Sequence, residues 1–133
     1  MALDVELLRS TFVLVVERNP NLTARFYDVL FEKYPQAKPL FNPANRKRQE
    51  QMLAGALSAV LDHLEDAPWL QTTLQALGAK HKDYGVTPEM YGWVGDSLLI
   101  TLAETAGPDW TPTAKDAWAA AYGAIASMML ADG

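Results

Sequence analysis

The chain has 133 residues, half of them apolar and a fifth charged, with no cysteine and a net charge of −5. This suits a single soluble domain with a real core and excludes a disulfide framework, a thiolate nucleophile and Cys-type zinc or iron–sulfur sites. The acidic balance, with Arg46-Lys47-Arg48 as its one basic run, excludes a nucleic-acid surface by charge. No apolar run nears the ~20 residues of a membrane span, and the N-terminus lacks a secretory pattern. A cytoplasmic protein with no membrane contact is expected.

From about Asp4 to Arg18, Val5, Leu8, Phe12 and Val15 share one helical face. The Phe-Val-Leu-Val-Val run within it could form a strand, but the chain offers no second strand to pair with it. Asn19-Pro20 has the form of a helix cap and first-turn proline, opening a second helix that runs to about Tyr34, where Pro35 stops it. Phe26, Leu30 and Val29 form its core face. Tyr27 is offset by one position, on the flank, where a tyrosine ordinarily buries its ring and keeps its hydroxyl in water.

Pro35, Pro39 and Pro43 allow only a short helical turn and a corner up to Asn45. Phe41 lies in that corner, and a large ring there is expected to plug the edge of something buried. The next helix, about Arg46 to Leu64, carries the stripe Leu53, Ala56, Leu57, Val60, Leu61 and Leu64. One turn earlier the same face carries Gln49, which either enters the interior or frays into solvent. His63 flanks the stripe and is expected half-exposed.

Asp66-Ala-Pro68 breaks the chain before the segment that ends at Tyr84-Gly85. There Leu70, Leu74, Leu77 and His81 fall at offsets of four, seven and eleven, so the histidine points where leucines point. A buried imidazole needs a partner: a local hydrogen bond, a metal held by several side chains, or the iron of a haem. Thr87-Pro88-Glu89 opens a further helix faced by Tyr91, Val94, Leu98 and Leu102, which ends at Gly107-Pro108. Thr111-Pro112 opens the last, with Trp118, Tyr122, Ile125 and Met129 on one stripe. The expected architecture is all-α, one domain over residues 1–133, with five longer helices and two short or irregular ones.

Other chemistries find no footing. The chain has no Gly-rich phosphate loop and no nucleophile elbow, and without a Glu-x-x-His motif or inward carboxylates a di-iron bundle is disfavoured. What remains is an apolar interior, one inward histidine, and Tyr27, Phe41 and Gln49 as candidates for the opposite wall.

The runs Leu22-Thr-Ala-Arg-Phe-Tyr27-Asp-Val-Leu-Phe and Tyr34-Pro-Gln-Ala-Lys-Pro-Leu-Phe41-Asn resemble the second-helix and corner signature of bacterial flavohaemoglobins and their single-domain globin relatives. Leu77-Gly-Ala-Lys-His81-Lys-Asp-Tyr-Gly-Val86, Tyr91…Val94-Gly-Asp-Ser-Leu-Leu99 and Ala117-Trp-Ala-Ala-Ala-Tyr122-Gly extend the likeness over nearly the whole chain. The resemblance implies the globin fold, a helical sandwich enclosing a pocket for haem b (iron protoporphyrin IX). It implies His81 as the iron ligand, Phe41 packed on the porphyrin, and Tyr27 and Gln49 as the polar pair opposite, with Leu53 beside them. Lys80 and the Arg46–Arg48 run are candidates to meet the haem's carboxylates, with plain solvated surface as the alternative. In flavohaemoglobins a tyrosine and a glutamate back the proximal histidine. Tyr91 matches the tyrosine, but the glutamate position falls at Gly133, beside the shorter Asp132, which disfavours peroxidase chemistry.

The function so implied is reversible binding of dioxygen, with carbon monoxide and nitric oxide as further ligands. Conversion of nitric oxide to nitrate would need an external reductase, because these residues hold no flavin- or nicotinamide-binding segment. Two other readings are a sensor domain cut from a longer protein and a globin-like bundle without haem.

Overall fold

Every apolar stripe named above forms a helix in the computed structural model, which describes residues 4–131. In chain order these are α1 (Val5–Arg18), α2 (Leu22–Lys33), α3 (Arg46–Asp62), α4 (Ala67–Asp83), α5 (Pro88–Ala106) and α6 (Pro112–Leu130). Short 3-10 turns occupy Pro35–Leu40, Pro43–Asn45 and Gly107–Asp109. The described residues contain no strand, so the all-α expectation holds, with six long helices rather than five and three short turns rather than two.

Local chemistry sets most of the ends. Asp4 caps α1, its carboxylate accepting from Leu7 N at 3.1 Å. Asp66 does the same for α4 through Trp69 N at 3.2 Å, and Thr111 for α6 through Ala114 N at 3.1 Å. Each satisfies an N–H that the helix itself leaves unpaired. Two boundaries differ from expectation. Asn19 does not cap α2: it closes α1 through its own N–H to Val15 O, and its side chain accepts from Asn21 N at 3.0 Å. A side-chain turn therefore joins the two helices, and α2 starts three residues later than Asn19. Asp66-Ala-Pro68 is a helix start rather than a break, because proline suits the first turn of α4.

The most extensive helix contacts are α4 with α6 and α2 with α5, and α1 packs on α5, on α6 and near the end of α3. Glycines let two of these contacts close. A Cβ on Gly78 of α4 would fall 1.9 Å from the Met129 carbonyl oxygen of α6, and one on Gly95 of α5 would fall 2.6 Å from the Tyr122 ring. Tyr122 then donates its hydroxyl to Tyr91 O at 2.6 Å, tying α6 to α5.

The core is full at one end and open at the other. Leu8, Leu61, Leu64, Leu74, Leu98, Leu102 and Trp118 are buried, whereas Leu53, Ala56, Leu57, Leu77, Val94, Ile125 and Met129, on the same stripes, are half-buried. The half-buried part of these stripes, on α3, α4, α5 and α6, borders an open space.

Candidate functional site

Between these half-buried faces lies a cavity of about 270 Å³, walled mainly by the apolar stripes of α3, α4, α5 and α6. Of the sequence-derived candidates, His81, Tyr27, Gln49, Leu53 and Tyr91 line it. Phe41 does not. It lines an adjoining outer pocket of about 430 Å³ with Phe31, Lys38, Arg46 and again Tyr27 and Gln49. Tyr27 and Gln49 thus form the wall shared by the two spaces. Lys80 lies exposed on the turn that holds His81.

His81 sits in the last turn of α4, and its Nδ1 lies 2.8 Å from Leu77 O. A carbonyl oxygen can only accept, so Nδ1 is the donor, and in the neutral ring that tautomer leaves the lone pair on Nε2. Gly85, at φ 89°, adopts the left-handed conformation that a side chain resists. This lets Val86 N bond back to His81 O at 3.0 Å and fixes the histidine's turn. His63 makes the same backbone bond, to Ala59 O at 2.8 Å, but its ring stacks on Trp69 at 3.8 Å and is absent from the cavity wall. The two histidines therefore separate by surroundings, not by local bonding.

Tyr27 is 6% exposed, so the expectation of a solvated hydroxyl on the helix flank does not hold. Its ring is enclosed by Phe26 at 5.0 Å, Phe31 at 5.9 Å and Phe41 at 5.5 Å. Burial, reinforced by the nearby Glu50 charge, pushes its pKa up to about 12, so the phenol is a neutral donor at any ordinary pH. Tyr91 is also buried, its pKa raised by desolvation, and its ring is tilted 6.4 Å from that of His81. Burial likewise raises the Tyr122 pKa. Asp132 and Gly133, where the resemblance puts the backing glutamate, lie outside the described residues.

Some of the arrangement carries no local sequence signal. Arg46 is held by Asp28 and by Glu50, each at 2.8 Å. Arg25 joins α2 to α5 through Glu104 at 2.8 Å. Tyr34 and Lys33 share Asp96, at 2.8 and 2.7 Å, and both contacts hold that carboxylate below its usual pKa. Apart from Arg46–Glu50, an i,i+4 pair within α3, these contacts link positions far apart in the chain, where only charge complementarity could have hinted at them.

The donor set tests what the cavity can hold. No group of three or more His, Cys, Asp or Glu able to hold a metal exists among the described residues. Of the three partners open to His81, the local hydrogen bond is already made at Nδ1, and a metal caged by several side chains lacks its ligands. An apolar group bringing its own metal fits this donor set: one imidazole lines an apolar cavity, with a phenol and a carboxamide also in its wall.

Comparison with known proteins agrees. The family model described as Globin matches residues 24–129. A flavohemoprotein of Bacillus thuringiensis is 35% identical over 129 residues, covering 95% of this chain and 31% of that protein. One from Bacillus subtilis is 32% identical, with 95% and 32% covered. The chain thus spans about a third of the length of the curated relatives it matches. Among solved structures, a bacterial globin from Campylobacter jejuni aligns with a TM-score of 0.81 at 26% identity, over 96% of this chain and 91% of that one. An engineered carbene transferase, built on a Rhodothermus marinus protein assigned as a nitric oxide dioxygenase, aligns at 0.85 and 27% over 99% and 93%.

Proposed function

The chain belongs to the globin family, and from that premise we propose that it holds haem b through His81 and binds dioxygen reversibly. We further propose that it converts nitric oxide to nitrate when a separate reductase supplies electrons. The observation that carries this reading is the His81 imidazole, which bonds Leu77 O through Nδ1 and lines the apolar cavity. A backbone acceptor on the far nitrogen is the usual way a ligating histidine is fixed in tautomer and orientation.

Bound haem would supply an iron that takes a diatomic ligand and changes oxidation state; the protein supplies orientation, dryness and charge. Leu53, Leu57 and Val60 from α3 and Leu77, Val94 and Ile125 from the facing helices exclude water. Tyr27 and Gln49 are the polar contacts for a ligand that gathers negative charge. A phenol whose pKa stands near 12 keeps its proton and donates it in a hydrogen bond, and the Gln49 amide supplies a second donor. Phe41 backs Tyr27 from the outer pocket, and Lys80, exposed beside His81, stays a candidate for the haem's carboxylates together with the Arg46–Arg48 run.

Removing the ligand nitrogen tests the reading. His81→Ala is expected to lose tight haem binding and regain it on added imidazole, while His63→Ala keeps haem. The reverse pattern would overturn the assignment. The flavohemoprotein relatives and the Rhodothermus marinus neighbour support nitric oxide chemistry as the activity to test first.

A further inference from the structure

Helix α3 begins poorly by its own local chemistry. Its first turn, Arg46-Lys47-Arg48-Gln49, places three cations at the positive end of the helix dipole, with no acid in that turn. Its cap residue Asn45 makes no side-chain hydrogen bond, so beyond the Arg46 N–H, which bonds Pro43 O, the first N–H groups lack the usual side-chain acceptor. Such a turn frays unless tertiary contacts hold it. Yet this turn carries Gln49, which lines both the cavity and the outer pocket.

Arg46 supplies the missing contact. Its Nη2 donates to Asp28 Oδ1 and to Ala24 O, each at 2.8 Å, both on α2. Its Nε donates to Glu50 Oε2 at 2.8 Å, one turn along α3. The guanidinium carbon lies 5.8 Å from the Tyr27 ring centroid and 5.9 Å from that of Phe31, over a stacked pair of rings. A planar fork can make these contacts together, where an ammonium would serve one or two.

We propose that Arg46 is a positioning residue for the ligand pocket: its bridge to Asp28 and the Ala24 carbonyl holds the first turn of α3, and with it Gln49, against α2, and fixes the outer face of the Tyr27 ring. This rests on the reading of Tyr27 and Gln49 as the ligand's polar contacts. The arrangement explains why a frayed first turn, the ordinary fate of such a sequence, is not adopted. It also makes the spacing of the two donors depend on one guanidinium.

The test uses the haem-loaded protein and two readouts. Backbone amide exchange over residues 46–53 reports whether the turn is held, and dissociation of dioxygen against carbon monoxide reports whether the donors are placed. Arg46→Met should speed exchange there about tenfold and dioxygen release roughly threefold or more, with carbon monoxide release little changed. Arg46→Lys and Asp28→Asn should fall between it and wild type, and Gln51→Ala, exposed on the same helix and outside both pockets, should speed neither. Unchanged exchange in Arg46→Met overturns the proposal. So does faster exchange with unaltered dioxygen release, provided Tyr27→Phe does accelerate release. If Tyr27→Phe also leaves release unaltered, the ligand-contact reading itself falls, and the proposal with it. Should Arg46→Met not retain haem, Asp28→Asn, which keeps the guanidinium and its Ala24 contact, is read on the same two scales.

Discussion

A single hydroxyl carries much of the chemistry proposed here. Tyr27→Phe removes one donor while keeping the ring that packs on Phe26, Phe31 and Phe41. A hydrogen bond to a charged acceptor is worth roughly 1.5–3 kcal/mol, and ~1.4 kcal/mol is a factor of ten. Dioxygen release should therefore speed up by roughly ten- to a hundredfold in stopped-flow measurements, with carbon monoxide as the weakly affected control. The raised pKa adds a second expectation. With a folded value near 12 against an ordinary 10, Tyr27 keeps its proton on folding, so its contribution to stability is intact below pH 10. That contribution is lost as pH rises from 10 through 12. Dioxygen release should accordingly be flat between pH 6 and 9, and alkaline unfolding should set in earlier for wild type than for Tyr27→Phe. A release rate that bends near neutrality would point to a different donor.

At the scale of elements, the fit of α4 against α6 decides where His81 stands. Gly78 lies one turn before His81, and a Cβ there would meet the Met129 carbonyl at 1.9 Å, so the backbones must part. Gly78→Ala should destabilise the fold by about 1–3 kcal/mol and weaken haem retention together with it. Gly55→Ala, in open space on α3, should instead stabilise by about 0.5–1 kcal/mol. Thermal unfolding of both variants checks the opposite signs. The helices themselves were legible in the sequence because the period-3.6 stripes are strong and the Thr-Pro starts mark where α5 and α6 begin, whereas Asp66-Ala-Pro68 reads as a break and proves to be a start. His81 was legible for the same reason, as a polar residue in a leucine stripe. The Asn19 boundary was not, since the same residue type can cap a following helix or close a preceding one. Nor was the burial of Tyr27, because the rings that enclose it on its outer side come from the end of α2 and the corner beyond. The tight seats at Gly78 and Gly95 depend on contacts with α6, tens of residues away.

For the molecule as a whole, the open end of the core is the organising feature. Side chains that share a stripe are buried along one part of it and half-buried along the part that borders the cavity. A chain that leaves so much apolar surface facing a cavity is built around an occupant. These residues carry no segment for a flavin or nicotinamide, so nitric oxide consumption in the steady state should track the concentration of an added reductase. Turnover sustained by a nicotinamide nucleotide alone would contradict that. The occupant itself is the central claim, and the visible absorption spectrum of the purified protein tests it most directly. A sharp haem band that shifts on exposure to dioxygen and to carbon monoxide, and that His81→Ala abolishes until imidazole is added, is the expected result. A protein that folds with these six helices, takes up no haem when it is supplied and shows no such band would contradict it.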